Sequence, residues 1–131
     1  MTNKIIETEI TAKMLTTDIE LASGGTINGL SHDIEWMHLY LTYLLEDYGV
    51  AVDPAERFGI SPEAVLEEIK LRIKKAEYDL AMVQAGRHEY PQRALIEAHN
   101  SLVEGRQMAS DISRKIVDLY FDLAKENDIE V

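Results

Sequence analysis

PQRALIEAHNSLVEGRQMASDISRKIVDLYFDLAKE, residues 91–126, is the stretch that decides the fold. Its apolar and small residues alternate at spacings of three and four, at Leu95, Ala98, Leu102, Gly105, Ala109, Ile112, Ile116, Leu119 and Leu123. This alternation places all nine on one side of a helix. The pattern predicts a helix about 50 Å long, at ~1.5 Å per residue, against which the other segments pack. Gly105 in its middle leaves open whether this helix is kinked.

The segment before this helix carries the clearest helix start in the chain. Ser61 is placed to cap the helix and Pro62 to occupy its first position, which predicts a helix over residues 62–85 with Gly86 beyond its end. Only the turn 86–91 separates the two helices, so they are predicted to lie antiparallel.

Two further helices are predicted in the first half of the chain. Residues 31–48 read as a helix capped by Ser31 and apolar almost all round, which indicates burial on several sides. Residues 3–23 fit a helical seam and also alternate as a strand does; helix is preferred because no partner strand is found. Gly24 and Gly25 are predicted to end that helix, and residues 24–30 to form a loop.

These elements predict an all-α fold: one all-helical domain over residues 1–131. It resembles a four-helix bundle, with a long C-terminal helix antiparallel to helix 62–85. A chain of 131 residues with 46% hydrophobic and 28% charged residues is long and apolar enough to bury a core.

Composition limits the function. The net charge of −11 disfavours binding to nucleic acid or to anionic lipid and suits a basic protein partner. The chain has no cysteine, which excludes disulfides, zinc–thiolate sites and cysteine nucleophiles. It has neither an apolar stretch of membrane-spanning length nor a secretory signal at its N-terminus, so a cytoplasmic location is predicted.

Two acidic patterns in the sequence are similar to parts of known metal sites. Glu35 and His38 form an ExxH pair, half of the ligand set of a di-iron bundle, but no second pair follows. Glu67 and Glu68 are similar to the start of the EExxE pattern of all-helical nucleotide pyrophosphohydrolases, which are metal-dependent. Leu71 stands where that pattern has its third acid, so the sequence predicts no metal and no cofactor.

Arg93 and His99 form an R-x5-H pair. This pair is similar to that of helical ribonucleases of the HEPN type, in which an arginine and a histidine near a dimer interface bind and cleave the RNA backbone. The resemblance implies a dimeric ribonuclease as the alternative function, although Ala94 stands where that family has a polar residue.

The segment from Leu95 through Asn127, with LIEAHNSL and LYFDLAKEN, resembles the flagellar secretion chaperones, which are small acidic helical bundles. That class fits a protein without catalytic residues of its own. The function predicted from the sequence is therefore binding of a macromolecular partner, as an adaptor, chaperone or inhibitor, rather than catalysis.

Self-association as a homodimer is also predicted, because apolar residues remain outside the seams. The predicted interface is the line Leu71, Tyr78 and Met82 on helix 62–85. The second candidate is the end of the long helix, at Ile116, Leu119 and Leu123, which outruns its antiparallel partner.

Overall fold

The computed structural model describes residues 10–129, and within this range the chain is helical without any strand. The elements are α1 (Ala12–Leu21), a π-helical turn (Ala22–Thr26), α2 (Ile27–Tyr48), α3 (Pro54–Phe58), α4 (Pro62–Gln84) and α5 (Pro91–Glu126). The predicted all-α fold is confirmed. Residues 3–9 of the predicted N-terminal helix lie outside the described residues; residues 12–21 are helical and the strand alternative is wrong for them.

Helices α4 and α5 form the centre of the bundle and run antiparallel, as predicted. α5 continues without interruption through Gly105, which is buried where α4 crosses closest. A methyl group at Gly105 would meet Arg72 Cδ at 3.4 Å and Ile69 Cγ1 at 3.7 Å. The Arg72 guanidinium ties the two helices together: Nη1 donates to the Ser101 carbonyl oxygen at 2.9 Å and to Glu104 Oε1 at 2.8 Å.

Helices α1 and α2 form one continuous rod that runs parallel to α5. Three side-chain contacts mark its course. His99 Nδ1 lies 2.6 Å from Asp18 Oδ2, Ser113 Oγ donates to Asp33 Oδ2 at 2.8 Å, and the rings of Tyr40 and Tyr120 meet edge to face with centroids 5.0 Å apart. Both helices advance along the chain in the same direction through these contacts, which defines a parallel pair.

The π-helical turn corrects the predicted loop at residues 24–30. Gly24 and Gly25 do not end the first helix, and Ser31 lies inside α2 rather than at its cap. The Ile27 N–H donates to the Ala22 carbonyl, a bond to the fifth residue back. From the Asp18 contact to the Asp33 contact the rod advances 15 residues while α5 advances 14, from His99 to Ser113. The turn therefore accommodates one extra residue and keeps both halves of the rod facing α5.

Burial explains why the glycines do not break the rod. Ala22 and Leu30, on either side of the two glycines, are 1% and 2% exposed. A glycine inside a helix costs about 1 kcal/mol relative to alanine, whereas burying a leucine side chain contributes about 1.5–3 kcal/mol. Tertiary packing thus outweighs the local preference for a loop.

The other helix ends match their sequence signals. Ser61 caps α4 by accepting a hydrogen bond from the Ala64 N–H at 3.3 Å, and Pro62 is its first residue. Gly49 ends α2 in the left-handed conformation, with φ of 68°. Every residue of the predicted α5 seam is buried. On the other helices Ile73 is buried, whereas Leu41 is half-buried against the core.

Replacement of Gly29 and of Gly49 by alanine should change the free energy of unfolding in opposite directions. Gly29 lies within α2 with open space around the position of a Cβ atom, so Gly29→Ala should raise the free energy of unfolding by about 0.5–1 kcal/mol. Gly49→Ala should lower it by about 1 kcal/mol, because an alanine at its positive φ is strained. Urea denaturation measures both. A change of the same sign in both variants would contradict the helical assignment of residue 29.

No helix within residues 10–129 combines the length and the apolar character needed to cross a bilayer.

Candidate functional site

A groove between α2 and the C-terminal part of α5 forms a concave surface lined almost entirely by apolar and aromatic side chains. Its volume is about 690 Å³. It is lined by aromatic and aliphatic side chains from one face of each helix and from Ile129, three residues beyond the end of α5: Trp36, Leu39, Tyr40, Tyr43, Val117, Tyr120, Phe121 and Ile129. We call it the aromatic groove.

The walls of the aromatic groove are open to solvent. Trp36 and Leu39 on α2 are 54% and 55% exposed, and Phe121 on α5 is 57% exposed. Apolar side chains of this size are common on protein surfaces one at a time, but a contiguous patch is a feature of interaction sites.

The floor of the aromatic groove is a set of packed tyrosines. The Tyr40 ring meets Tyr120 edge to face, and Tyr43 packs edge to face on Tyr48 at 5.6 Å between centroids. Burial raises the pKa of Tyr120, with smaller contributions from Asp33 and Tyr40, and the hydrogen bond with Tyr48 raises the pKa of Tyr43. Both phenols are therefore neutral at physiological pH, and the floor carries no charge.

Trp36 is held in place before anything binds. Its Nε1–H donates to His32 Nε2 at 2.7 Å, and the two rings stand edge to face with centroids 6.0 Å apart. The polar atom of the indole is thus satisfied within the chain while much of its ring remains at the surface. A side chain that is already ordered loses less conformational entropy when a partner covers it.

Arg93 and His99 do not converge on one site within the chain. They are six residues apart on α5, which places them about 120° apart around the helix axis. His99 Nδ1 faces Asp18 on α1, whereas Arg93 lies near Glu97, with 3.9 Å between Nε and Oε2, and near the ring of Tyr90. The contact of His99 is an anchor between α1 and α5.

Glu35 and His38 are also separated. Both are exposed on α2, but the His38 ring turns to α4, where Nε2 lies 2.5 Å from Glu63 Oε2. Glu67 contacts Lys70 at 3.3 Å, and Glu68 contacts Arg72 at 2.9 Å. Within residues 10–129 no three histidine, aspartate or glutamate side chains come together as a metal ion would require.

The two predicted interface regions differ in exposure. Ile116, Leu119 and Leu123 are 1%, 3% and 0% exposed, so the expectation that the end of α5 offers them to a second subunit is wrong. They are buried in the core of the chain itself. The rod runs parallel to this part of α5, and Arg57 and Phe58 of α3 lie beside Leu119. Leu71 and Tyr78 on α4 are 61% and 63% exposed, and Met82 is half-buried, so this line remains a surface.

The aromatic groove was not predicted from the sequence. The signal was present: Trp36, Leu39, Tyr40 and Tyr43 lie outside the apolar seam of α2, and Val117 lies beside the seam of α5. Those positions were interpreted as evidence of burial on several sides. The structure has no further helix among the described residues to cover them.

Comparison of the chain with protein-family models, curated proteins and solved structures finds no match.

The His38–Glu63 contact predicts a pH dependence. The hydrogen bond from His38 lowers the pKa of Glu63, and Ser61 and the backbone act in the same direction. A carboxyl group whose pKa is lowered on folding stabilises the protein above its ordinary pKa of about 4.3, and this contribution is lost as the pH falls through the folded-state value. Because Glu63 is about half exposed, the effect should be roughly 0.5 kcal/mol or less.

Urea denaturation at pH 5.5 and pH 3.5 tests this expectation. Glu63→Gln should lose less unfolding free energy between the two pH values than the unmodified protein loses. An identical loss in both proteins would show that the contact contributes no stability.

Proposed function

We propose that this protein is a non-catalytic binding protein that captures a protein partner through the aromatic groove, as an adaptor, chaperone or inhibitor. The groove is the single observation that carries the proposal. Three large apolar side chains that are more than half exposed, on a floor of packed tyrosines, form a surface of the kind that partners cover.

The residue types of the aromatic groove support this proposal. Tryptophan and tyrosine are the side chains that most often dominate binding energy at protein interfaces, because they bury a large area with few rotatable bonds. Trp36 and Tyr43 lie one above the other on α2, and Phe121 faces them from α5. The groove is thus built on two helices of the scaffold, which keeps the aromatic side chains in fixed positions.

The test is photo-crosslinking from single positions. A photoreactive phenylalanine analogue replaces Leu39 in the groove, and in a control protein it replaces Leu45, which is 54% exposed on the same helix outside the groove. In extract of the cells that encode the protein, we expect a distinct crosslinked product from position 39 and none from position 45. Equal labelling from both positions, or none from either, would overturn the proposal.

We also propose that the chain forms a homodimer through Leu71, Tyr78 and Met82. The exposure of Leu71 and Tyr78 on the outer side of α4, away from the aromatic groove, supports this interface. Light scattering at micromolar concentration should give twice the monomer mass, and Tyr78→Glu should give the monomer. A monomer mass for the unmodified protein would remove this proposal and leave the groove unaffected.

The alternative function is an RNA-cleaving activity that depends on His99. Its support is the geometry at Asp18, which holds the partly exposed His99 ring through Nδ1, while Nε2 has no hydrogen-bond partner within residues 10–129. Incubation with RNA, with and without magnesium or manganese, distinguishes the two functions. Cleavage by the unmodified protein that is lost in His99→Ala would favour the alternative; we expect no cleavage by either.

The proposal places the protein in the cytoplasm, where a protein without cysteine needs no oxidising environment to fold.

A further inference from the structure

The shape of the aromatic groove suits one element of secondary structure. Its two walls are parallel helices, with Trp36 and Leu39 on one side and Val117 and Phe121 on the other. A furrow between two packed helices accepts the side chains of a third helix, whose apolar residues recur at spacings of three and four. Such a helix would pack against both α2 and the C-terminal half of α5.

The charges around the aromatic groove favour a partner of opposite charge. α2 contains Asp33, Glu35, Glu46 and Asp47 and has no lysine or arginine along its 22 residues. On α5, Asp118 and Asp122 line a different pocket, together with Arg57 and Phe58 of α3. The acidic character of the groove's surroundings therefore comes from α2.

Because α2 and α5 are parallel, the negative potential is stronger at one end of the groove than at the other. Because Tyr40 lies beside Tyr120, the C-terminus of α2 at Tyr48 and that of α5 at Glu126 lie at the same end of the groove. Each helix C-terminus carries roughly half a negative charge from its unpaired carbonyl groups, and cations are favoured there. An antiparallel pair would have cancelled this effect.

A second copy of this chain is a poorer occupant. It would bring another α2, with the same four carboxylates, against the first, and like charges in contact oppose association. The five most exposed side chains of the groove, at roughly half of ~200 Å² each, amount to on the order of 500 Å² of apolar surface. A stable protein–protein interface of standard size buries about 800 Å² on each partner.

We propose that the aromatic groove binds a single amphipathic helix of a different protein, whose apolar face covers Trp36, Leu39 and Phe121 and whose lysine and arginine side chains face the carboxylates of α2. This inference rests on the proposed function, since it names the chemistry of the partner for the same site. It is independent of the homodimer proposed for α4.

The experiment uses the chain's single tryptophan, Trp36, as the reporter. The probe is a synthetic peptide of about 18 residues, roughly 27 Å as a helix, made of leucine on one helical face and lysine on the other. Two control peptides keep its length: a leucine–glutamate peptide with the same pattern, and a leucine–lysine peptide of the same composition in scrambled order. None contains an aromatic residue, so any change of tryptophan emission arises from Trp36.

We expect the patterned leucine–lysine peptide to shift the Trp36 emission to shorter wavelength and to gain helical circular dichroism on binding. The leucine–glutamate and scrambled peptides should bind at least about tenfold more weakly. Added salt should weaken the complex, since part of the attraction is between charges.

Matched variants separate groove binding from general attraction to an acidic protein. Leu39→Lys and Leu45→Lys place the same charge at positions of almost equal exposure on one helix. We expect Leu39→Lys to weaken binding at least about tenfold and Leu45→Lys to change it by less than about threefold. Phe121→Lys, on the opposite wall, should repeat the effect of Leu39→Lys and guards against a local defect in α2.

Three results would overturn the inference: equal weakening by Leu39→Lys and Leu45→Lys, equally tight binding of the leucine–glutamate peptide, or equally tight binding of the scrambled peptide. Any of these together with crosslinking from position 39 alone would leave the proposed function in place and reject only the basic helix as the occupant. If position 39 gives no crosslinked product, both the proposed function and the basic helix as occupant are rejected.

Discussion

Leu44→Ala should lower the free energy of unfolding by about 2–5 kcal/mol, whereas Leu45→Ala, one residue further along α2, should change it by less than about 0.5 kcal/mol. Leu44 is 0% exposed in the core between the rod and the other helices, and Leu45 is 54% exposed. Truncation of a buried leucine removes its transfer free energy and leaves a cavity, while truncation of an exposed leucine does neither.

The two variants can be compared directly, because both replace a leucine of α2 by alanine. Differences in helix propensity or in the unfolded chain therefore cancel to first order. Urea denaturation of the two variants gives the difference directly. Equal losses, or a larger loss for Leu45→Ala, would mean that α2 is rotated from the orientation described, and the aromatic groove would then be misplaced as well.

The parts of the fold that could be predicted from the sequence are those in which local signals and core packing agree. Ser61 and Pro62 mark the start of α4 because a capping hydroxyl and a proline satisfy the needs of a first helical turn. The α5 seam alternates without a break, and its side chains are buried along the whole helix. Where capping and periodicity agree in this way, a sequence indicates the element and its buried face.

The continuous rod could not be predicted because two rules conflict there. A pair of glycines normally ends a helix, and helix periodicity assumes 3.6 residues per turn. The apolar seam of the rod passes from Ala22 to Leu30 through Thr26, in two steps of four residues. Because a regular helix has 3.6 residues per turn, a seam with steps of four gradually rotates away from the neighbouring helix. A π-helical turn restores the orientation, but that turn is defined by the register of the distant helix α5.

The candidate site was missed for a different reason. Periodicity shows that a helix has apolar residues on a given face, but it does not show whether another element covers that face. Trp36 and Leu39 extend the apolar surface of α2, and the same residues would be core in a protein with one more helix. The end of α5 shows the converse, since Leu123 was expected to need a second subunit and is buried within the chain.

Deletion of Gly25 should leave the fold intact, whereas deletion of Met108 should lower the free energy of unfolding by roughly 5 kcal/mol or more. Without Gly25, the rod advances 14 residues between Asp18 and Asp33, the same number as α5 advances between the residues that face them. The π-helical turn then becomes regular α-helix, and both halves of the rod keep their buried faces.

Deletion of Met108 has no such compensation, because α5 is regular α-helix on both sides of it. All residues beyond it turn by about 100° relative to those before it. Ile112, Ile116 and Leu123 then leave the core if the first half of α5 keeps its place, at about 1.5–3 kcal/mol each. Thermal and urea denaturation of the two deletion variants provide the measurement. If deletion of Gly25 is as damaging as deletion of Met108, residues 22–26 do not hold an extra residue, and the parallel register between the rod and α5 is wrong.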